Sequence, residues 1–269
     1  VSADFTLWQE VANEAAREAG LHALNQLHRR TELAQKLEYD VKLQLDLECQ
    51  ARAEEVIRNR FPEHGILGEE GRRASAANSP RWIIDPIDGT VNFFHGLPLW
   101  CSSVAVQWEG QVMAGAVFMP ELEDFYTARI DGPALCNDRP IAPSATASLA
   151  DSMILTGLSK HIHENPVAFD LLKELTLLSQ KVRVMGAAAV DICHVACGKA
   201  DGYVETGIYI WDVAAAGLIA DRAGARAEIV EELSEYRYRY ICTNGKIDGE
   251  IKALLNRFPA GVEGVQGPK

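Results

Sequence analysis

The segment Asp85-Pro86-Ile87-Asp88-Gly89-Thr90 sets two carboxylates three residues apart across a tight turn, directly after the apolar run Trp82-Ile83-Ile84. At the end of a buried strand the two side chains can converge on one point, with the Ile87 carbonyl between them as a third oxygen. Hard cations such as Mg²⁺ take this kind of all-oxygen shell. Gly89 lets the backbone come close to a ligand, and Thr90 to Phe94 can begin a helix whose free N–H groups face a phosphate. An Asp-Pro turn ending a strand, followed by an Asp-Gly turn, is the plainer alternative, since both are frequent in loops. Glu69 and Glu70 follow Ile66-Leu67-Gly68 and offer a further carboxylate at a strand end, or else a solvated loop. Asp212 follows Trp211 and opens the run Val213 to Ala220, where it can cap a helix and can also present its carboxylate to a cation.

These acids belong to an acidic chain. The 269 residues carry a formal net charge of -12, which argues against broad nucleic-acid binding, because phosphate backbones are met by basic surfaces. A carboxylate-rich site would repel a phosphate ester as well, unless bound cations reverse the local field. With 48% hydrophobic residues the chain can bury a substantial core, as one large domain or two packed halves. No basic leader and no stretch of bilayer-spanning length is seen, so a soluble, cytoplasmic protein without membrane contact is expected. The six cysteines lack paired CxxC spacing and read as reduced, mostly buried thiols. Cys193 and Cys197, one helical turn apart around His194, hint at a metal site, but core packing is the better account. His95 reads as a helix-surface or packing residue.

Elements must bring the acids together. Apolar spacing predicts a helix over residues 4 to 30, broken or bent near Gly20, and another over 46 to 60, stopped at Phe61-Pro62. A mobile surface loop is expected from Arg72 to Arg81, and the strand at Trp82 to Ile84 is expected to break at Asp85-Pro86. Strands over 101 to 108, 111 to 119 and 123 to 129 form a meander with turns at Glu109-Gly110 and near Pro120-Glu121. The small, polar stretch Pro143 to Ser148 divides an N-terminal half, 1–143, carrying the metal and phosphate motifs, from a C-terminal half, 144–269, that completes the site. The second half alternates: strand 152 to 156, helix 166 to 178, strand 181 to 185, helix 187 to 197, strand 202 to 205, helix 212 to 222. Strands at 226 to 230 and 238 to 243, a helix at 247 to 257 and a frayed tail from Pro259 complete an α/β layering.

Gly68-Glu69-Glu70, then Trp82-Ile83-Ile84-Asp85-Pro86-Ile87-Asp88-Gly89-Thr90-Val91-Asn92-Phe93, then Trp211-Asp212-Val213-Ala214 with Gly217 resemble the signatures of the inositol monophosphatase family, in its order and at its separations. The resemblance implies a layered αβαβα sandwich of the inositol monophosphatase/fructose-1,6-bisphosphatase type, lithium-sensitive chemistry with two or three Mg²⁺ ions, and a homodimer. It makes Glu69, Asp85 and the Ile87 carbonyl ligands of a first ion, and Asp85, Asp88 and Asp212 ligands of a second, with Glu69 also near a weaker third. Gly89 and Thr90 correspond to phosphate-binding backbone, and Asp46 with Thr90 to the pair that orients the attacking water. Gly186, Ala187 and Ala188 align with a substrate-contacting turn, although close packing of a small-residue helix start explains them equally. Glu205 aligns with an acceptor of a substrate hydroxyl, or is a surface acid. The chain departs from the family pattern in reading Lys42-Leu43-Gln44-Leu45 before Asp46, and in carrying Ala187 where relatives often have a hydroxyl residue.

The expected activity is Mg²⁺-dependent hydrolysis of a small phosphate monoester, inositol monophosphate first. Fructose bisphosphate, histidinol phosphate and 3′-phosphoadenosine nucleotides are the alternatives within that chemistry. An interaction protein assisting a transcription complex is the alternative of another class.

Overall fold

The computed structural model describes residues 4–36, 41–73, 79–158 and 167–259. The chain opens with helix α1 (Phe5–Asn25), whose first turn is capped by the Asp4 carboxylate accepting the Thr6 and Leu7 amides, both at 3.1 Å. Its buried stripe, Trp8, Val11, Ala12, Ala15, Ala16, Ala19 and Ala23, follows the three-and-four spacing of an amphipathic helix. The expected break at Gly20 does not occur. The helix continues through it, and Gly20 faces the sheet, where a Cβ would come within 2.6 Å of the Phe118 ring. Strands β1 (Leu33–Lys36) and β2 (Val41–Leu43) form a small hairpin ahead of helix α2 (Gln44–Arg60), which stops at Phe61 before Pro62.

The first large sheet holds β3 (Gly65–Gly68), β4 (Arg72–Arg73), β5 (Arg81–Asp88), β6 (Cys101–Trp108), β7 (Gln111–Met119), β8 (Asp124–Arg129), β9 (Leu135–Cys136) and β10 (Arg139–Pro140), with helix α3 (Thr90–His95) between β5 and β6. Its strand order is β10-β9-β8-β7-β6-β5-β3-β4. Only β3 and β5 pair in parallel; the meander joins β6 to β7 through Glu109 and Gly110, both at positive φ as a tight hairpin turn requires. Strand β5 does not break at Asp85-Pro86 but continues to Asp88. Of the loop expected from Arg72 to Arg81, residues 74–78 lie outside the described residues, while Arg72–Arg73 pair with β3.

The second sheet holds β11 (Met153–Thr156), β12 (Lys181–Arg183), β13 (Gly202–Tyr209), β14 (Arg226–Ser234) and β15 (Arg237–Thr243), in the order β12-β11-β13-β15-β14. Helices α4 (Val167–Leu178), α5 (Ala188–Ala196), α6 (Ile210–Ala223) and α7 (Asp248–Leu255) alternate with its strands. The tail beyond residue 259 lies outside the described residues.

Five layers result. Helices α1 and α2 cover one face of the first sheet, and α5 and α6 fill the space between the two sheets. Helices α4 and α7 cover the far face of the second, with Leu171, Leu175, Ile251 and Leu254 packed on Ile154, Val204 and Ile241. The expected αβαβα sandwich is therefore the fold. A helix between two sheets must be apolar all round, and α5 buries Ala188, Ala189, Val190, Ile192, Cys193, Val195 and Ala196. Cys49, Cys101, Cys193 and Cys242 are buried and Cys136 and Cys197 half-buried, all as free thiols. No helix among the described residues is long and apolar enough to cross a membrane.

Candidate active site

In a regular strand, residues three apart point to opposite faces. Asp85 and Asp88 nonetheless face the same way. Asp85 pairs with Ser103 and Asp88 with Cys101, so β5 spends three steps where β6 spends two, which is a one-residue bulge. Pro86 has no amide to pair and is tolerated there; its carbonyl accepts the Ser102 hydroxyl at 2.6 Å. The bulge turns Ile87 into the α1-side core, and both carboxylates toward α5 and α6.

The third carboxylate comes from the start of α6. Asp212 is not the N-cap but stands three residues inside it, where one oxygen, Oδ2, accepts the amide of the N-cap residue Tyr209 at 3.0 Å. Oxygens of Asp85, Asp88 and Asp212 all lie within 4.8 Å of one another. Two ligands of one Mg²⁺ at ordinary bond lengths are at most about 4.2 Å apart, so a small inward adjustment lets pairs of these acids share an ion. This trio is the one such grouping among the described residues, which leaves Cys193, His194 and Cys197 to core packing. His95 is exposed and does not line the cleft.

Glu69 lines the same cleft outside the tight trio, and its charge bears on Asp46, Asp85 and Asp212. Its neighbour Glu70 turns away to form an ion pair with Lys42. Asp46 repeats the Asp212 device at the start of α2: Oδ2 accepts the Leu43 amide at 2.7 Å, and Oδ1 has no hydrogen-bond partner among the described residues. Burial raises its pKa to about 8, against the lowering effect of the Leu43 bond. The Thr90 hydroxyl donates to the Ile87 carbonyl at 2.9 Å.

Gly89 adopts φ +86°, and a Cβ there would lie 2.9 Å from both the Ala187 Cβ and the Leu99 carbonyl. The small residues Gly186, Ala187 and Ala188 thus pack against the Asp88-Gly89 turn and also line the cleft. Asn92 holds the two segments together by donating to the Leu99 and Met185 carbonyls at 2.7 and 2.8 Å. Asp88 in turn accepts the Ala188 and Ala189 amides, at 3.2 and 2.7 Å, and so supplies the first turn of α5 with the cap that its own sequence lacks.

On the second sheet a matching bulge lies between Glu205 and Ile208. Tyr203 and Glu205 share the face toward α5, where the Tyr203 hydroxyl donates to the Glu205 carboxylate. Asp191, in the first turn of α5, is 1% exposed and lines the same space. Neither Asp191 nor Tyr203 is singled out by the motifs; an acid inside an otherwise apolar helix was the available signal.

The cleft encloses about 460 Å³. Its described lining contains six carboxylates, Glu69, Asp85, Asp88, Asp191, Glu205 and Asp212, and no basic side chain. Burial first, then the charges of Glu69, Asp88 and Asp212, push Asp85 well above the usual carboxylate range. Asp212 is pushed up likewise, by burial and then by Asp88 and Glu69. Asp88 rises only to about 6, because the α5 amides oppose its burial. Burial raises Glu205 to about 7 against the Tyr203 hydrogen bond. Packed carboxylates of this kind demand either protons or cations.

Acids converging from two bulged sheets and a helix start, inside five alternating layers, define a phosphoric monoester hydrolase of the α/β sandwich class. The sequence profile of the inositol monophosphatase family matches residues 4–255. An inositol-1-monophosphatase of Synechocystis sp. is 35% identical over 265 residues, covering 95% of this chain and 91% of that protein. The Nus factor SuhB of Pasteurella multocida is 35% identical over 218 residues, 80% of this chain and 82% of that protein. Among solved structures, the inositol monophosphatase of Anabaena superimposes with a TM-score of 0.83 at 32% identity, covering 96% of this chain and 98% of the other. The chain belongs to the inositol monophosphatase family.

Proposed function

We propose that the protein hydrolyses an inositol monophosphate, with Mg²⁺ held by the acids of the cleft. The observation that carries this reading is the lining itself: six carboxylates, with no basic side chain among the described lining residues, can receive a phosphate only together with cations. The donor set suits Mg²⁺, being wholly oxygen and close enough to share ions. Glu69, Asp85 and the Ile87 carbonyl are assigned to a first ion, and Asp85, Asp88 and Asp212 to a second, with Glu69 beside a weaker third. When bound, the ions supply positive charge for the phosphate and acidify water.

The remaining work falls to the chain. The Gly89 and Thr90 amides support phosphate oxygens. Glu69 and Thr90 orient the attacking water on the cleft wall, and Asp46, at the start of α2, is assigned to the same water. Gly186, Ala187 and Ala188 form the wall along which the leaving alcohol lies, and Glu205 accepts one of its hydroxyls; Asp88 and Asp212 border the same space. The half-chain division at residue 143, a homodimer and a cytoplasmic location go with this reading, the last suiting partly exposed Cys136 and Cys197 thiols.

A panel of phosphate esters, assayed with Mg²⁺ and with chelator, tests it. Inositol 1-phosphate should be preferred over fructose bisphosphate, histidinol phosphate and 3′-phosphoadenosine nucleotides, and Asp88→Asn should remove most turnover. Higher kcat/KM on a nucleotide, or hydrolysis indifferent to chelation, overturns the proposal.

A further inference from the structure

Asp191 is the one cleft carboxylate that none of these roles uses. On α5 its neighbours are Ala189, Val190, Ile192 and Cys193, all buried, so an apolar residue would fill the position without the cost of dehydrating a carboxyl group. Two other buried acids of this protein are engaged through both oxygens, whereas Asp46 shares with Asp191 an oxygen that meets no partner among the described residues. Asp88 takes two amides of α5, and Asp201 accepts the Ser144 hydroxyl at 2.5 Å and the Met153 amide at 2.7 Å. Asp191, 1% exposed, keeps Oδ1 without a hydrogen-bond partner among the described residues. A buried acceptor left unmade is expensive, and such groups are retained where a ligand completes them.

Its surroundings indicate the ligand. Asp191 and Glu205 both line the cleft, close enough for the Glu205 charge to act on Asp191. Glu205 has one oxygen on the Tyr203 hydroxyl and faces the same space. The Tyr203 hydroxyl is given to Glu205, which leaves Asp191 Oδ1 to a partner that brings its own O–H group.

We propose that Asp191 is a further substrate-binding residue, receiving a hydroxyl group of the leaving alcohol beside the one assigned to Glu205 and so adding to the discrimination against esters that lack it. This deepens the phosphatase reading and rests on it. Sites built to hydrogen-bond a substrate hydroxyl discriminate sharply against analogues without it, because the buried partner is then left unpaired.

The test compares two esters, inositol 1-phosphate and p-nitrophenyl phosphate, in the Mg²⁺-loaded protein and in Asp191→Leu and Asp191→Asn. The ratio of kcat/KM for the polyol ester to that for the aryl ester should fall about five- to a hundredfold in Asp191→Leu, mainly through KM, as the loss of a buried hydrogen-bond partner for a substrate hydroxyl predicts. Asparagine keeps an uncharged acceptor, so its ratio should fall less, about three- to tenfold. Thermal unfolding of the metal-free Asp191→Asn protein should not move downward, since no protein hydrogen bond is lost. A ratio unchanged in both variants, or a lowered melting temperature with both esters equally affected, overturns the inference and leaves the phosphatase reading standing. Failure of the unaltered protein to hydrolyse either ester overturns both.

Discussion

Replacing Asp212 with asparagine should make the metal-free protein more stable. Asp85, Asp88 and Asp212 hold oxygens within 4.8 Å of one another in a half-buried to buried setting. A fully charged pair at that distance repels by about 3.5 kcal/mol at an effective dielectric constant near 20. Protonation relieves part of this, so the net gain from removing one charge is about 1–3 kcal/mol. The asparagine carbonyl can still accept the Tyr209 amide, which keeps the α6 start intact. In a chain of this size each kcal/mol moves the melting temperature by about 2–4 °C. The effect grows with pH. Because the folded carboxyls have raised pKa values, the folded state binds more protons than the unfolded one, and stability falls as pH rises from the ordinary carboxylate range through about 6, the value for Asp88, and beyond. Melting curves in chelator at about pH 8 and again in excess Mg²⁺ should therefore cross over, with the variant ahead in the first and the unaltered protein ahead in the second, where ion binding stabilises only the full ligand set. The reasoning is refuted if Asp212→Asn melts lower than the unaltered protein in chelator, or if Mg²⁺ raises both by the same amount.

Lys42→Met leaves the Glu70 side chain, 6% exposed, without its ion-pair partner and should cost about 1–3 kcal/mol in urea unfolding. Adding Glu70→Gln should recover most of that, and a double-mutant cycle with no coupling would count against the pair. Gly89→Ala forces a side chain into φ +86° and to within 2.9 Å of Ala187, costing about 1–2 kcal/mol for the backbone alone. Because that turn carries Thr90, kcat/KM should fall by a larger factor than unfolding measurements account for. Burial, followed by the Lys199 charge, lowers the His194 pKa from its ordinary 6.5 to about 4. Between those pH values the unfolded chain takes up a proton that the folded one refuses, so stability should fall by about 1.4 kcal/mol per unit as pH drops. His194→Gln should flatten that slope in denaturation series run across the window.

Much of the site was legible because its acids sit at punctuation marks of the chain. Glycine or proline flanks Glu69, Asp85 and Asp88, and Asp212 opens a helix. The two bulges were not read, although Pro86 in β5 and Gly207 in β13 are residue types that mark them, since a bulge is fixed only by the mismatch of step counts between paired strands. That is why β5 was expected to break at Asp85-Pro86, and why β13 was expected to end at Glu205 when it runs to Tyr209. Gly20 misled for a related reason. Helix propensity treats glycine as a breaker, whereas here close approach to Phe118 fixes the residue and packing keeps the helix whole. Residue types alone do not tell Glu69 from Glu70, and only the family resemblance singled out Glu69; in the structure Lys42 takes Glu70.

The carboxylate trio has a temporal consequence. Asp85 and Asp88 lie on β5, but the third member arrives only with α6, late in the chain. On the proposed assignment, a nascent polypeptide still short of residue 212 lacks part of its receptor for divalent ions, however well its first sheet has folded. On that assignment products ending before Asp212 should hydrolyse no ester, and the third carboxylate arrives when the first sheet, α5 and β13 have been made but β14 and β15 have not.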